Sequence, residues 1–283
     1  MHGDESLNLP ELERQVNRQI AAGVAAVFCL GTNGEFFALA YEEKIEVMKT
    51  TIQAAAGRVP VIAGTGCVTT AETIALTKAA KEAGADAVSI VSPYFAEISQ
   101  PGLAGHFEAV ADAVDIPIII YNIPARTGVN ITYQTIKRLS AHPNIIGVKD
   151  SSGNFDNTLR YIEETPEDFI VLCGNDSLIL WTLMAGGQGG ISGIANLFPE
   201  RMVSIVSLFD NGAFKEAKEV QDSIRTIRDT LKLDNPNSVV KYAANLLGYP
   251  VGPVRRPFAL REENAQAIQK ALSTYSVSKS GGA

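Results

Sequence analysis

Seven short apolar runs between residues 25 and 196 constrain the fold of this chain more than any other feature. They are AAVFCLG (25–31), VPVIAGTG (59–66), DAVSIVSP (86–93), IPIIIYN (116–122), IIGVKD (145–150), FIVLCGND (169–176) and GGISGIAN (189–196). Most are nearly continuous in apolar residues rather than alternating, as strands covered on both faces should be. Their ends lie 20 to 35 residues apart. Helical patterns fill most of the gaps. LAYEEKIEVMKTTIQAAAG (39–57) closes on Gly57, and TTAETIALTKAAKEAG (69–84) opens on a threonine cap with Glu72 close behind and closes on Gly84. GLAGHFEAVADAV (102–114) and TYQTIKRLSAH (132–142) follow the same plan.

Strand and helix in strict alternation imply parallel strands joined by right-handed crossovers. A unit repeated at this spacing, with no linker-like break, predicts an α/β (β/α)8 barrel rather than two doubly wound domains. Beyond residue 196 the pattern turns helical: residues 199–231, NSVVKYAANLLG (237–248) and EENAQAIQKAL (262–272). The expected organisation is a barrel over 1–199, then a closing helix and a C-terminal helical region over 200–283. Only seven strand patterns are present. The chain opens on MHGDESLNLPELERQVNRQI, a loop and a helix with Asn8 as cap and Pro10 in the first turn, so a first strand is missing from the pattern.

Hydrophobic residues make up 46% of the chain and charged residues 19%, enough for a sizeable core and too few charges for a disordered chain. The net charge of −7 argues against nucleic acid or an anionic membrane as partner, but leaves room for a small anionic ligand held locally. No run is long enough to span a membrane and no signal peptide is visible. Cys29, Cys67 and Cys173 sit apart in apolar runs without metal-ligand spacing, which predicts buried free thiols in a reducing cytoplasm. The small polar tail SVSKSGGA (276–283) is expected to fray.

Barrel enzymes carry their chemistry at the C-terminal ends of the strands. Those ends read GTNGE, AGTG, SPYF, YNIPARTG, KDSSG, CGND and ISGIAN, and Lys149 is the only lysine among them. His2, His106 and His142 all fall elsewhere, so no histidine cluster points to a transition metal. Burial disfavours an ammonium ion, and a neutral lysine can attack a carbonyl to form a Schiff base. On position alone, an ion pair with Asp150 or Asp176 explains Lys149 equally well. Backbone N–H groups of GTNGEF (31–36) could hold a carboxylate or phosphate, or form an ordinary glycine-rich turn. Tyr121 suits a proton relay or plain packing. Arg126 suits a carboxylate clamp or solvent. Glu35, Asp150 and Asp176, on three different loops, are the acids available for magnesium.

Taken together and in order, GTNGE (31–35), SPYF (92–95), YNIPARTG (121–128), GVKDSSG (147–153), CGND (173–176) and GGISGIAN (189–196) resemble the dihydrodipicolinate synthase/N-acetylneuraminate lyase family of class I aldolases, over essentially the whole chain. The resemblance implies a (β/α)8 barrel with a C-terminal helical region, assembled as a homotetramer, a dimer of dimers. It implies that Lys149 forms the imine with pyruvate or another 2-oxo acid, and that Tyr121 moves protons. Thr32 would link Tyr121 to a neighbour's aromatic residue. The N–H groups of Thr32 and Asn33 would hold the pyruvate carboxylate, and the carbonyl of Ile191 would lie near the imine. No metal or organic cofactor is implied beyond the covalent imine.

Two positions depart from the synthases of that family. Phe95 stands where they carry a tyrosine that completes a neighbour's relay, and Asn33 stands where they usually carry threonine. GTNGE and KDSSG are more similar to aldolases for 2-keto-3-deoxy sugar acids or 4-hydroxy-2-oxoglutarate. Arg126 is similar to the synthases, where it binds the aldehyde's carboxylate. Family members usually begin with a strand ending just where Met1 falls, so a start at an internal methionine of a longer reading frame is expected. The sequence therefore predicts a cytoplasmic, pyruvate-dependent aldolase of the sugar-acid or 4-hydroxy-2-oxoglutarate type. The alternatives are 4-hydroxy-tetrahydrodipicolinate synthase, acting on pyruvate and aspartate semialdehyde, a magnesium-dependent lyase, and a non-catalytic barrel that binds a 2-oxo acid.

Overall fold

The computed structural model describes residues 1–277; the tail expected to fray lies outside the described residues from residue 278 onward. Helix α1 (Leu9–Ala21) leads into β1 (Val27–Cys29), α2 (Tyr41–Ala55), β2 (Val61–Gly64), α3 (Thr70–Ala83), β3 (Ala87–Val91), α4 (Gln100–Ala113) and β4 (Ile118–Asn122). The short α5 (Pro124–Thr127) and α6 (Tyr133–Leu139) precede β5 (Ile145–Asp150), α7 (Phe155–Glu164), β6 (Ile170–Cys173), α8 (Ile179–Met184) and β7 (Gly189–Gly190). Helices α9 (Pro199–Asp210), α10 (Phe214–Ser223), α11 (Arg225–Thr230), α12 (Pro236–Leu246) and α13 (Glu262–Val277) complete the described chain.

The helix starts follow local chemistry. Asn8 caps α1 by accepting from the Glu11 N–H, and Thr69 caps α3 by accepting from the Glu72 N–H, both at 3.2 Å. Gly84 ends α3 in the left-handed conformation, at φ +95°. The helical stretch over 199–231 is not continuous. Gly212 at φ +74° separates α9 from α10, and α11 starts anew at Arg225.

The strands form one parallel sheet in the order β1-β2-β3-β4-β5-β6-β7, each paired with its sequence neighbour. This is a curled α/β sheet with the strand and helix order of a (β/α)8 barrel. Among the described residues it has seven strands, and β1 and β7 do not pair. The seventh strand is shorter than its run suggested. It keeps only Gly189 and Gly190, and the chain then turns through a 3-10 turn at Ile194–Asn196.

Alternation along each strand splits the side chains between two cores. Val61, Ala63, Val88, Ile90, Ile118, Ile120, Val148 and Val171 face the helices in the larger core. Phe28, Ile62, Ala87, Ile119 and Leu172 fill a smaller one inside the curl. A third cluster begins at Cys173 and runs through α8, α9 and α12 to Tyr275. Cys29 and Cys173 are buried as expected, whereas Cys67 is only half-buried, because it lies on the loop after β2.

Candidate active site

Strands β4 and β5 set the site. Tyr121 pairs with Lys149, and Asn122 with Asp150. The two-residue period of a strand therefore sends Tyr121 and Lys149 to one face and Asn122 and Asp150 to the other. Lys149 is 6% exposed. Its Nζ lies 3.9 Å from the centre of the Tyr121 ring and 5.2 Å from that of Phe28 on β1, inside the curl. It makes no ion pair among the described residues.

The acids that could have neutralised Lys149 are engaged elsewhere. Asp150 accepts from Asn122 Nδ2 at 3.0 Å, Thr158 Oγ1 at 2.7 Å, Asn157 Nδ2 at 3.3 Å, Ser152 Oγ at 2.9 Å and the Ser152 N–H at 3.0 Å. Asp176 accepts from the Ser192 hydroxyl and stands 4.0 Å from Arg228 Nε on α11. Burial raises the Asp176 carboxyl above its usual range, against the pull of Ser192 and Arg228. Glu35 pairs with Lys241 on α12 and accepts from the Arg255 N–H at 3.0 Å. The three acids weighed as magnesium ligands thus belong to three separate networks. Among the described residues no group of three His, Cys, Asp or Glu side chains is placed to hold a metal ion.

Thr32 opens a 3-10 turn, Thr32–Gly34, directly after β1. Its Oγ1 lies 3.1 Å from the Tyr121 hydroxyl. Burial alone would raise the Tyr121 phenol. The neighbouring Lys149 ammonium and the Thr32 hydroxyl outweigh it, holding the phenol below its ordinary value. A donated hydrogen bond and a near cation both favour phenolate, so the pair can pass a proton at lower cost than an isolated tyrosine.

The other expected site residues lie on the segments that follow β1, β3, β4 and β7. Asn33, in the same turn, has its amide beside Gly193 of the loop after β7, where a Cβ would come within 2.8 Å of Asn33 Nδ2. The Ile191 N–H donates to Cys173 O at 2.9 Å, extending the β6–β7 ladder to the strand end. Arg126 is exposed on α5 and makes no ion pair among the described residues. Phe95 is 99% exposed and holds a left-handed backbone at φ +78°, unusual for a bulky residue.

Three residues at the site were not singled out in the sequence. Ser151 stands two residues after Lys149, and its buried hydroxyl helps hold the Tyr121 phenol below its ordinary value. Gly174 packs directly on the lysine stem. A Cβ there would collide with Ser151 Oγ and stand 2.9 Å from Lys149 Cε. Asn237 on α12 donates through Nδ2 to the Thr32 carbonyl at 2.7 Å. The first two could have been found by reading one residue past each strand end. The third, 205 residues from its partner in the chain, leaves no local signal.

The family model described as the dihydrodipicolinate synthetase family matches residues 1–275. The 4-hydroxy-tetrahydrodipicolinate synthase of Methanosphaerula palustris is 40% identical over 273 residues, covering 96% of this chain and 94% of that one. The structure of the 4-hydroxy-tetrahydrodipicolinate synthase of Methylacidiphilum fumariolicum SolV superposes with a TM-score of 0.95 at 35% identity, covering 99% of this chain and 94% of the other. YagE of E. coli K12, a prophage protein of the dihydrodipicolinic acid synthase family solved in complex with pyruvate, superposes with a TM-score of 0.93 at 32% identity, covering 98% and 95%. A match this long, on a parallel sheet that sets a buried lysine beside a tyrosine, assigns the chain: it belongs to the dihydrodipicolinate synthetase family, as a lyase of the class I aldolase type.

Proposed function

We propose that the protein joins pyruvate to a carboxylate-bearing aldehyde through an imine on Lys149, as a 4-hydroxy-tetrahydrodipicolinate synthase does with aspartate semialdehyde. One observation carries the reading: a lysine 6% exposed, without an ion-pair partner among the described residues, lies over the ring of a tyrosine on the next strand. The amine of Lys149 adds to C2 of pyruvate, and water leaves to give the iminium ion. Loss of a proton from C3 gives the enamine. Its carbon then bonds to the aldehyde carbon, and the aldehyde oxygen takes up a proton. Tyr121, backed by the Thr32 hydroxyl, is the group that gives and receives these protons.

The N–H groups of Thr32 and Asn33 open a 3-10 turn and have no acceptor within it, which suits them to the pyruvate carboxylate. The Ile191 carbonyl faces the imine in this reading, and Arg126 binds the carboxylate of the aldehyde. The iminium ion is itself the electron sink, so no metal or organic cofactor takes part. The assembly is a cytoplasmic homotetramer, a dimer of dimers.

The synthase reading is supported by the 40% identical relative. A second reading is favoured by Phe95, which has no hydroxyl to offer a neighbour's relay, and by Asn33. It is cleavage of a 2-keto-3-deoxy sugar acid or 4-hydroxy-2-oxoglutarate. Steady-state rates with pyruvate plus aspartate semialdehyde, glyceraldehyde or glyoxylate separate the two. The synthase reading expects the highest kcat/KM with aspartate semialdehyde, and a rise in its KM alone in Arg126→Ala. Faster turnover with glyceraldehyde or glyoxylate selects the second reading. Pyruvate binding without turnover of any aldehyde would mark a non-catalytic barrel.

A further inference from the structure

The turn that carries Thr32 is bent at both ends. Leu30 before it and Glu35 after it adopt left-handed backbones, at φ +58° and +57°, although neither is glycine. That conformation is unfavourable for side chains of this size and persists only where the surroundings enforce it. The enforcing contacts come from α12 and from the segment that follows it. On α12, Asn237 Nδ2 donates to the Thr32 carbonyl at 2.7 Å. One helical turn later, Lys241 forms an ion pair with the buried Glu35 carboxylate. The Arg255 N–H donates to the same carboxylate at 3.0 Å. Asn237 is 2% exposed, and its own Oδ1 is buried without a partner among the described residues. A buried acceptor left unmet is unfavourable, and it is tolerated here while the same amide holds the Thr32 carbonyl.

We propose that Asn237 and Lys241 are positioning residues for the Schiff-base site: α12 clamps the turn so that the Thr32 hydroxyl meets the Tyr121 phenol and the N–H groups of Thr32 and Asn33 face the bound 2-oxo acid. The C-terminal helical region thereby acts on the rate, through a carbonyl and a carboxylate, without touching substrate. The proposal rests on the imine reading of Lys149. Neither side chain hydrogen-bonds to Tyr121 or Lys149 among the described residues, so their effect passes through the turn.

The test uses the full chain with Asn237→Leu, which keeps size and removes the donor, and the pair Lys241→Met and Lys241→Arg. Two readouts are taken on each folded variant. The first is the rate of pyruvate adduct formation, trapped with borohydride at timed intervals. The second is the ultraviolet titration of Tyr121, obtained by subtracting the Tyr121→Phe curve. Asn237→Leu and Lys241→Met are expected to slow adduct formation on the order of tenfold or more, as displaced reacting groups do. Both should move the Tyr121 titration upward, towards that of Thr32→Val. Lys241→Arg should retain most of the rate. A stability effect alone would leave the folded variant with the wild-type rate and titration, and that result overturns the proposal. Should Asn237→Leu not fold, Asn237→Ser and Lys241→Met are read in the same two ways, and wild-type behaviour in both overturns the proposal equally. Absence of any adduct in the wild-type protein would count against the imine reading instead, and the Tyr121 titration would still decide whether α12 sets the turn.

Discussion

The β4–β5 wall and the β7–β1 seam belong to one parallel sheet, yet they hold together differently. Across the wall, five residue pairs run in register from Ile118 to Asp150, with one shift at Ile118/Ile119. Behind it, Asn122, Asp150, Thr158 and Tyr161 form a buried polar net, in which Tyr161 also donates to the Ile131 carbonyl. At the seam no ladder joins β7 to β1 among the described residues. Helix α1 bridges the gap with side chains. Arg18 donates to the Asn196 carbonyl at 2.6 Å and stacks 4.1 Å over Tyr249, and Gln19 donates to Asn196 Oδ1 at 3.2 Å. Lys149 and Tyr121, the pair proposed to react, sit on the wall, where the backbone itself fixes their register. The seam is held by side chains that can be changed one at a time. Chemistry that tolerates little displacement is placed where displacement is hardest.

The largest expected effect comes from pressing on the wall at its face. Gly174→Ala would drive a methyl group into Ser151 and the Lys149 stem. We expect a loss of about 1–3 kcal/mol of stability from overpacking. The displaced lysine should also lower kcat on the order of 100-fold, as steady-state kinetics will show. Breaking the wall from behind comes next. Asp150→Ala removes the acceptor of five donors and should cost about 3 kcal/mol, read from the urea midpoint.

Acid should act beside the wall more gently. His106, on α4, is bonded to Thr70 at 2.9 Å, and burial lowers its pKa to about 4. The unfolded chain binds a proton there near the ordinary value of 6.5, so it binds more protons than the folded chain between the two values. Stability should therefore fall as pH drops from 6.5 towards 4, by roughly 2 kcal/mol. His106→Gln should remove that slope, measured by urea unfolding across the range. The seam yields the smallest effect. Arg18→Met should cost about 1 kcal/mol and leave kcat unchanged. A large loss of activity in that variant would mean that seam and wall are not separable.

Much of this contrast was legible in the chain. Continuous apolar runs gave strands covered on both faces, and Asn8, Thr69 and Gly84 marked helix ends with residues that satisfy free backbone groups or admit a left-handed turn. Lys149 stood out because an ionisable residue closing an apolar strand needs a reason. The same alternation could have separated Lys149 from Asp150, since adjacent residues on a strand face opposite ways. The shortened β7 was harder to foresee. Two glycines carry no side chains to pack, and the Ile and Ala residues after them serve a turn. The α12 clamp was invisible, because contact between Asn237 and Thr32 depends on the whole curl of the sheet bringing distant segments together.

The measurement that tests the central claim most directly is borohydride reduction in the presence of pyruvate, followed by peptide mass spectrometry, with Lys149→Ala as control. The account predicts a reduced pyruvyl adduct on the peptide containing Lys149 and none in the variant. A folded wild-type protein that gains no adduct, or gains it on another lysine equally in Lys149→Ala, would contradict it.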